Sequence, residues 1–132
     1  MEIRIEKPFR FYIDVVETGE HVPSMRMQAA IEVRQFGHKL EYHGSLWFDC
    51  SVWDSFVAGL SSIDTVEASL FDMGGHFALR LSALSGKPEI SWEVKKAALT
   101  GAVATAEFRS PIDEDTVEYV RRQFTQFNPW WK

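Results

Sequence analysis

The sequence predicts an α+β fold: a strongly curved antiparallel sheet of about seven strands in the order βββαββββα, with two helices packed on its concave face. Three observations predict it. Apolar residues recur with period two through most of the chain, the spacing of strands with one wet face. The period changes to a helical one after Asp49 and again near Asp113. Glycines at Gly37, Gly74-Gly75 and Gly86 separate the strand-like runs at hairpin distances, which makes neighbouring strands antiparallel.

From Ile3 to Val15 the odd positions are apolar apart from Lys7, and the even ones carry Arg4, Glu6, Pro8, Arg10, Tyr12 and Asp14. Pro8 cannot donate a ladder hydrogen bond, so this first strand lies at an edge or bends there. A second strand follows the loop from Glu17 to Ser24, with Met27, Ala29, Ile31 and Val33 inward. A third turns Leu40, Tyr42, Leu46 and Phe48 inward. Two registers compete for the hairpin that joins them. A turn at Gly37-His38 opposes Arg34 to Glu41, Glu32 to His43 and Arg26 to Asp49, whereas a turn at Phe36-Gly37 opposes Arg34 to Lys39 and Glu32 to Glu41. Like charges directly opposite each other are destabilising, so the first register is expected.

The first helix is expected to begin at Ser51-Val52-Trp53-Asp54, which has capping-box spacing, with Ser51 as the cap. Val52, Phe56, Leu60 and Ile63 then fall on one face of about three turns. Folding at Gly74-Gly75 pairs Leu70 with Leu79, Ala68 with Leu81 and Val66 with Ala83 on the core side, and sets Ser69 against Arg80 outside. A two-residue turn at Gly86-Lys87 sets Leu81 against Trp92, Ala83 against Ile90 and Arg80 against Glu93. The last strand, Ala102 to Arg109, has small core-side residues (Ala102, Ala104, Ala106) that leave room for Trp92 or a helix. The final helix starts near Asp113, with Ile112 and Val117 as a hydrophobic staple. Its stripe is Val117, Val120, Phe124 and Phe127, and Asn128-Pro129 ends it.

At 132 residues the chain reads as one domain, 1–132, able to bury a core without staples. With 45% apolar and 25% charged residues it fits neither a disordered chain nor a membrane span. The opening MEIRIEKPFRF alternates charge and bulk and does not read as a signal peptide. A lone Cys50 allows no internal disulfide and agrees with a reducing compartment, so a cytoplasmic location is expected. The net charge is −5, and the densest basic spots are the pairs Lys95-Lys96 and Arg121-Arg122. Nucleic-acid binding, which needs a concentrated basic surface, is not expected. An acidic domain suits a basic protein partner.

No stretch carries a catalytic or ligand-binding signature. His38 and His43 are five apart, which sends them to opposite faces of a strand, and no set including Cys50 has zinc spacing. No metal or cofactor is therefore expected. Asp72 and His76 flank the glycine turn and read as a turn carboxylate and a surface histidine, with no nucleophile placed beside them. Cys50 reads as buried and inert. Aromatic residues make up 14% of the chain, including five Trp, and most have core parity. Trp47 shares the wet face of the third strand, and Trp130 and Trp131 close the sequence in FNPWWK. These three are the candidate partner-binding residues. Neighbours in an extended segment point to opposite sides. One of the two final rings is thus expected to pack on its own domain and the other to reach outward, the alternative being that both cap the core.

HGSLWFDCSVWDSFVAGLSSI, a strand leading into a Trp-x-x-Phe helix, ASLFDMGGHFALRLSAL and FRSPIDEDTVEYVRRQF together resemble bacterial immunity proteins of the WapI type and related small single-domain families. The resemblance implies a cytosolic protein that neutralises a toxin by binding it, without catalysis. It supplies no site residues. The functional expectation is thus a non-enzymatic protein-binding domain. The alternatives are a small-ligand-binding or enzymatic domain using a pocket between sheet and helices, and an obligate homodimer joined through its aromatics. What separates them is where the polar residues point, because an enzyme needs several converging inside a cleft.

Overall fold

A computed structural model describes residues 2–132. The chain runs β1 (Glu2–Ile5), β2 (Arg10–Gly19), β3 (Ser24–Gln35), β4 (His38–Asp49), α1 (Cys50–Gly59), β5 (Ala68–Phe71), β6 (Phe77–Ser82), β7 (Glu89–Ala97), β8 (Val103–Pro111) and α2 (Glu114–Thr125). The class is α+β as expected, but the strands form two four-stranded antiparallel sheets, β1-β2-β3-β4 and β5-β6-β7-β8, not one sheet of seven. The extra strand comes from Pro8. The chain reverses across Glu6 to Phe9, with a cis Lys7–Pro8 peptide, and β1 pairs with β2 through Ile3↔Ile13 and Ile5↔Phe11. The inward parity survives: Ile3, Ile5, Phe9, Phe11 and Ile13 are all buried. The sheets separate because α1 and residues 60–67 intervene between β4 and β5, where a backbone bond from Met73 N to Trp47 O (2.7 Å) links them.

One apolar core joins both sheets and both helices. Phe11 stacks on Phe77 at 5.8 Å and Phe9 meets Trp92 and Phe108 edge-on at 6.1 and 5.6 Å, so rings fill the space between the sheets. Trp53 of α1 contacts Phe48 of β4 and Phe124 of α2 at 6.0 and 5.4 Å, tying the helices to the first sheet.

Two hairpins differ from expectation by two residues of register. The β3–β4 turn is Phe36-Gly37, both at positive φ (56° and 76°), and it opposes Arg34 to Lys39 and Glu32 to Glu41. The like charges are relieved along each strand instead of across it: Arg34 Nε bonds Glu32 Oε1 and Lys39 Nζ bonds Glu41 Oε1, both at 2.7 Å. A turn with two positive φ values also matches the twist of the flanking strands. In β6–β7, Leu79 faces Trp92 and Leu81 faces Ile90. Pro88 has no N–H with which to close a two-residue turn at Gly86-Lys87, so residues 83–88 form a wider loop held by Gly86 N to Ala83 O (2.9 Å).

The β5–β6 register is the expected one, Leu70↔Leu79 and Ala68↔Leu81. Val66 is not part of it. Ala83 N instead donates to Ile63 O (2.7 Å), which leaves Val66 outside the ladder and exposed. The cap of α1 is Asp49, not Ser51: Asp49 Oδ1 accepts from Ser51 N and Oγ at 2.8 and 2.7 Å. The β3–β4 register opposes Asp49 to Ser24 and not to Arg26, leaving its carboxylate available for this role. Asp113 caps α2 as expected, accepting from Thr116 N at 2.7 Å, and Val117, Val120, Phe124 and Phe127 are buried. Ala106 of β8 pairs with Val94 and packs against the core, and it is Phe108 that stacks on Trp92 at 6.0 Å. Ala102, just before the strand, and Ala104 are exposed.

Candidate protein-binding surface

The last six residues form a built corner of the molecule. Beyond the C-cap of α2, Phe127 is buried against Trp53 at 4.9 Å. Trp131 then folds back, its ring 6.4 Å from Phe127, and its Nε1 donates to Asp54 Oδ2 of α1 at 3.0 Å. Lys132 Nζ lies 3.4 Å from the other oxygen of Asp54. Trp130 stands edge-on to Trp131 at 5.6 Å and remains 38% exposed. One ring therefore anchors the segment and the other faces outward, held by its neighbour. Asp54 is the structural support of this corner, a role its capping-box spacing in the sequence does not reveal. It lies 77 residues from Trp131, and no local spacing links the two.

Trp47 is elsewhere. It lies half-buried on the outer face of the first sheet, opposite Arg26, whose guanidinium bonds Glu17 and Ser45 at 2.9 and 3.0 Å. The ring lies beside Gly19, where a Cβ would crowd Ser24 Oγ at 2.8 Å but meet Cζ3 of Trp47 at an ordinary contact distance of 3.6 Å. Among the described residues no ring contact joins Trp47 to Trp130 or Trp131, so the three candidates do not form one site.

The polar groups with catalytic potential are committed to structure. Asp72 is buried and accepts from Gly74 N, His76 N and Phe77 N at 3.2, 2.7 and 2.8 Å. His76 Nδ1 lies 3.4 Å from it, with half of the histidine in solvent. Burial first, then Asp49 and Asp54, pushes the Cys50 thiol up to about 11, which keeps it protonated. No group of three or more His, Cys, Asp or Glu among the described residues could hold a metal ion. One member of each basic pair is tied down as well. Lys96 Nζ donates to His43 O at 2.6 Å and lies over the Tyr42 ring, and Arg121 donates to Leu60 O and Glu118.

Two shallow grooves lie on the outer faces of the sheets. One of about 660 Å³ runs over Phe71, His76, Ala78, Arg80, Glu93 and Lys95. Another of about 550 Å³ runs over Arg4, Arg10, Tyr12, Glu32 and His43. Both are open and lined by charges that pair within the sheet, such as Arg80 with Glu93 at 3.1 Å. Hydrogen bonds from Arg4, then Tyr12, hold the Glu2 carboxyl below its usual range beside the second groove. No helix among the described residues is long and apolar enough to cross a membrane. No protein-family model matches this chain, and no curated protein is significantly similar to it.

Proposed function

We propose that this chain is a non-enzymatic protein-binding domain that neutralises a basic protein partner, most concretely an immunity protein acting on a toxin domain. The observation that carries the reading is Trp130, a large ring presented to solvent on a platform fixed by Trp131, Phe127 and Asp54. Exposed tryptophans with restricted motion are the residues that most often dominate protein–protein affinity, since little entropy is lost on docking. The packing of rings between the first sheet and the helices supports the same reading over a ligand pocket there, because that space is occupied by Phe48, Trp53, Phe56 and Phe124. The formal charge of −5 favours encounter with a basic partner.

Gene neighbourhood and co-expression test it together. The reading requires an adjacent toxin gene whose product is lethal alone, is tolerated with this chain through a stable complex, and is bound more weakly by Trp130→Ala. Truncating an interface anchor of this kind costs about 2 kcal/mol or more, roughly a thirtyfold loss of affinity. A non-toxic neighbour, or protection without a complex, contradicts the reading.

A further inference from the structure

Each sheet ends in strands whose outer edges need a partner or a cover. Three of the four edges have one. On β1, Arg4 N bonds Gln123 Oε1 at 3.4 Å and Arg4 O accepts from Tyr119 Oη at 3.1 Å, both from α2. On β4, Trp47 O accepts from Met73 N and His43 O accepts from Lys96 Nζ. The outward series of β5 continues to Met73, whose N makes that bond to β4, and α1 packs on the strand beside it, where a Cβ on Gly59 would stand 3.3 Å from Ala68 Cβ.

The outer edge of β8 is bare. Ala98 N donates to Ala102 O (2.8 Å) at one end of the β7–β8 ladder, and Ile112 N donates to Pro88 O (3.0 Å) at the other. Both bonds lie on the register that pairs Trp92 with Phe108. Bonded and non-bonded pairs alternate in an antiparallel ladder, so the even-numbered residues of β8 face β7. Val103, Thr105, Glu107 and Arg109 then turn their N–H and C=O groups outward. Pro111 falls on the same outward series, where a missing N–H breaks no ladder bond. Among the described residues no side chain or loop covers the outward groups of Val103, Thr105, Glu107 and Arg109. Pro111 O accepts from Ser110 Oγ of its own strand at 2.9 Å, which leaves it a second lone pair. The side chains along the strand are also largely in solvent.

We infer that β8 is a dimerisation edge, pairing antiparallel with β8 of a second copy of this chain about a two-fold at Phe108. The charges select both the occupant and the register. With the axis at Phe108, Glu107 of each copy faces Arg109 of the other, and Phe108 faces Phe108 on the core side. Glu107 and Arg109 exchange N–H···O bonds in both directions, and Thr105 N reaches Pro111 O. An axis at Glu107 would set that carboxylate against itself, and an axis at Ala106 would oppose Arg109 to Val103. Within one chain Glu107 has no ion pair among the described residues, and Arg109 holds Glu89 at 3.2 Å while 75% exposed. Glu107 is therefore free to pair across the two-fold, and the exposed Arg109 guanidinium has further N–H groups to offer it beside the bond to Glu89. Phe108 is half-buried on Trp92 and Phe9, which leaves one side of its ring for the second copy. Opposite charges and aromatic pairs directly across an antiparallel ladder are its stabilising contacts. None of the residues around Trp130 takes part.

Analytical ultracentrifugation of the full chain at tens of micromolar tests this. The parent should sediment as a dimer. Glu107→Pro, which removes an outward donor and leaves the β7 ladder intact, should sediment as a folded monomer. Glu107→Arg and Arg109→Glu should each raise the dimer dissociation constant by about tenfold or more, and an equimolar mixture of the two should associate as tightly as the parent. A monomeric parent overturns the inference. So does a dimer that Glu107→Pro leaves unchanged, or a mixture of the two charge variants that stays monomeric. The charge variants keep the test decisive if Glu107→Pro fails to fold.

Discussion

β1 and β8 are both outermost strands of four-stranded sheets, and the chain treats them in opposite ways. β1 is four residues long, its inward Ile3 and Ile5 are buried, and α2 supplies a tyrosine and a glutamine to its backbone. β8 is nine residues long, none of its residues is fully buried, and its edge meets water. A covered edge is stabilised by the core that its cover shares. An open edge must be stabilised by a second molecule or remain exposed.

The largest effect that separates the two strands is expected in their anchors. Phe124 holds α2 over the β1 side of the core, fully buried against Trp53 and Phe56 at 5.4 and 4.9 Å. Phe124→Ala should cost about 3–5 kcal/mol in urea unfolding, whereas Phe108→Ala in β8 should cost well under that when measured on dilute protein. Equal losses would show that β8 is as much a core strand as β1.

A smaller effect is expected at the cover itself. Tyr119→Phe removes the bond to Arg4 O and should cost about 0.5–1 kcal/mol, with faster hydrogen exchange confined to β1. The smallest effect follows pH. Thr116, through its side chain and then its backbone, holds the Asp113 carboxyl below the usual range. A depressed folded pKa contributes stability that is complete above the unfolded value and is lost as pH falls through the folded one. The melting temperature should therefore fall on acidification below the ordinary carboxylate range, and Asp113→Asn should flatten that part of the curve. A parallel profile for the variant would remove Asp113 from the balance.

The inward faces of the strands are mostly legible in the sequence, because burial imposes period two, although Leu40, Ala102 and Ala104, expected inward, lie near strand ends and are exposed. Register is not legible in the same way. Both misplaced hairpins, β3–β4 and β6–β7, are displaced by two residues, which leaves every side chain on its own face. The pattern alone cannot distinguish such alternatives. Cross-strand charge favours one β3–β4 register, but ion pairs along a strand, Arg34 with Glu32 and Lys39 with Glu41, remove that preference. At β5–β6 the glycines centre the turn, and Asp72 beside them is spent on its amides, so reading and structure agree. Of the candidate binding residues, Trp130 and Trp131 are visible as an anomaly of composition. Their support by Asp54 is a contact between distant segments, which only the folded chain brings together.

Residue-resolved amide hydrogen exchange, followed as protein concentration rises, tests the contrast between the two edges most directly. At low concentration the account predicts slow exchange at Arg4 and at Ala104, Ala106 and Phe108, whose amides face α2 or β7. It predicts fast exchange at Val103, Thr105, Glu107 and Arg109. At high concentration Thr105, Glu107 and Arg109 should become protected while Val103 stays fast. Protection of those three amides already at low concentration would mean that the chain covers β8 itself. Fast exchange at every concentration would mean that no second copy ever does.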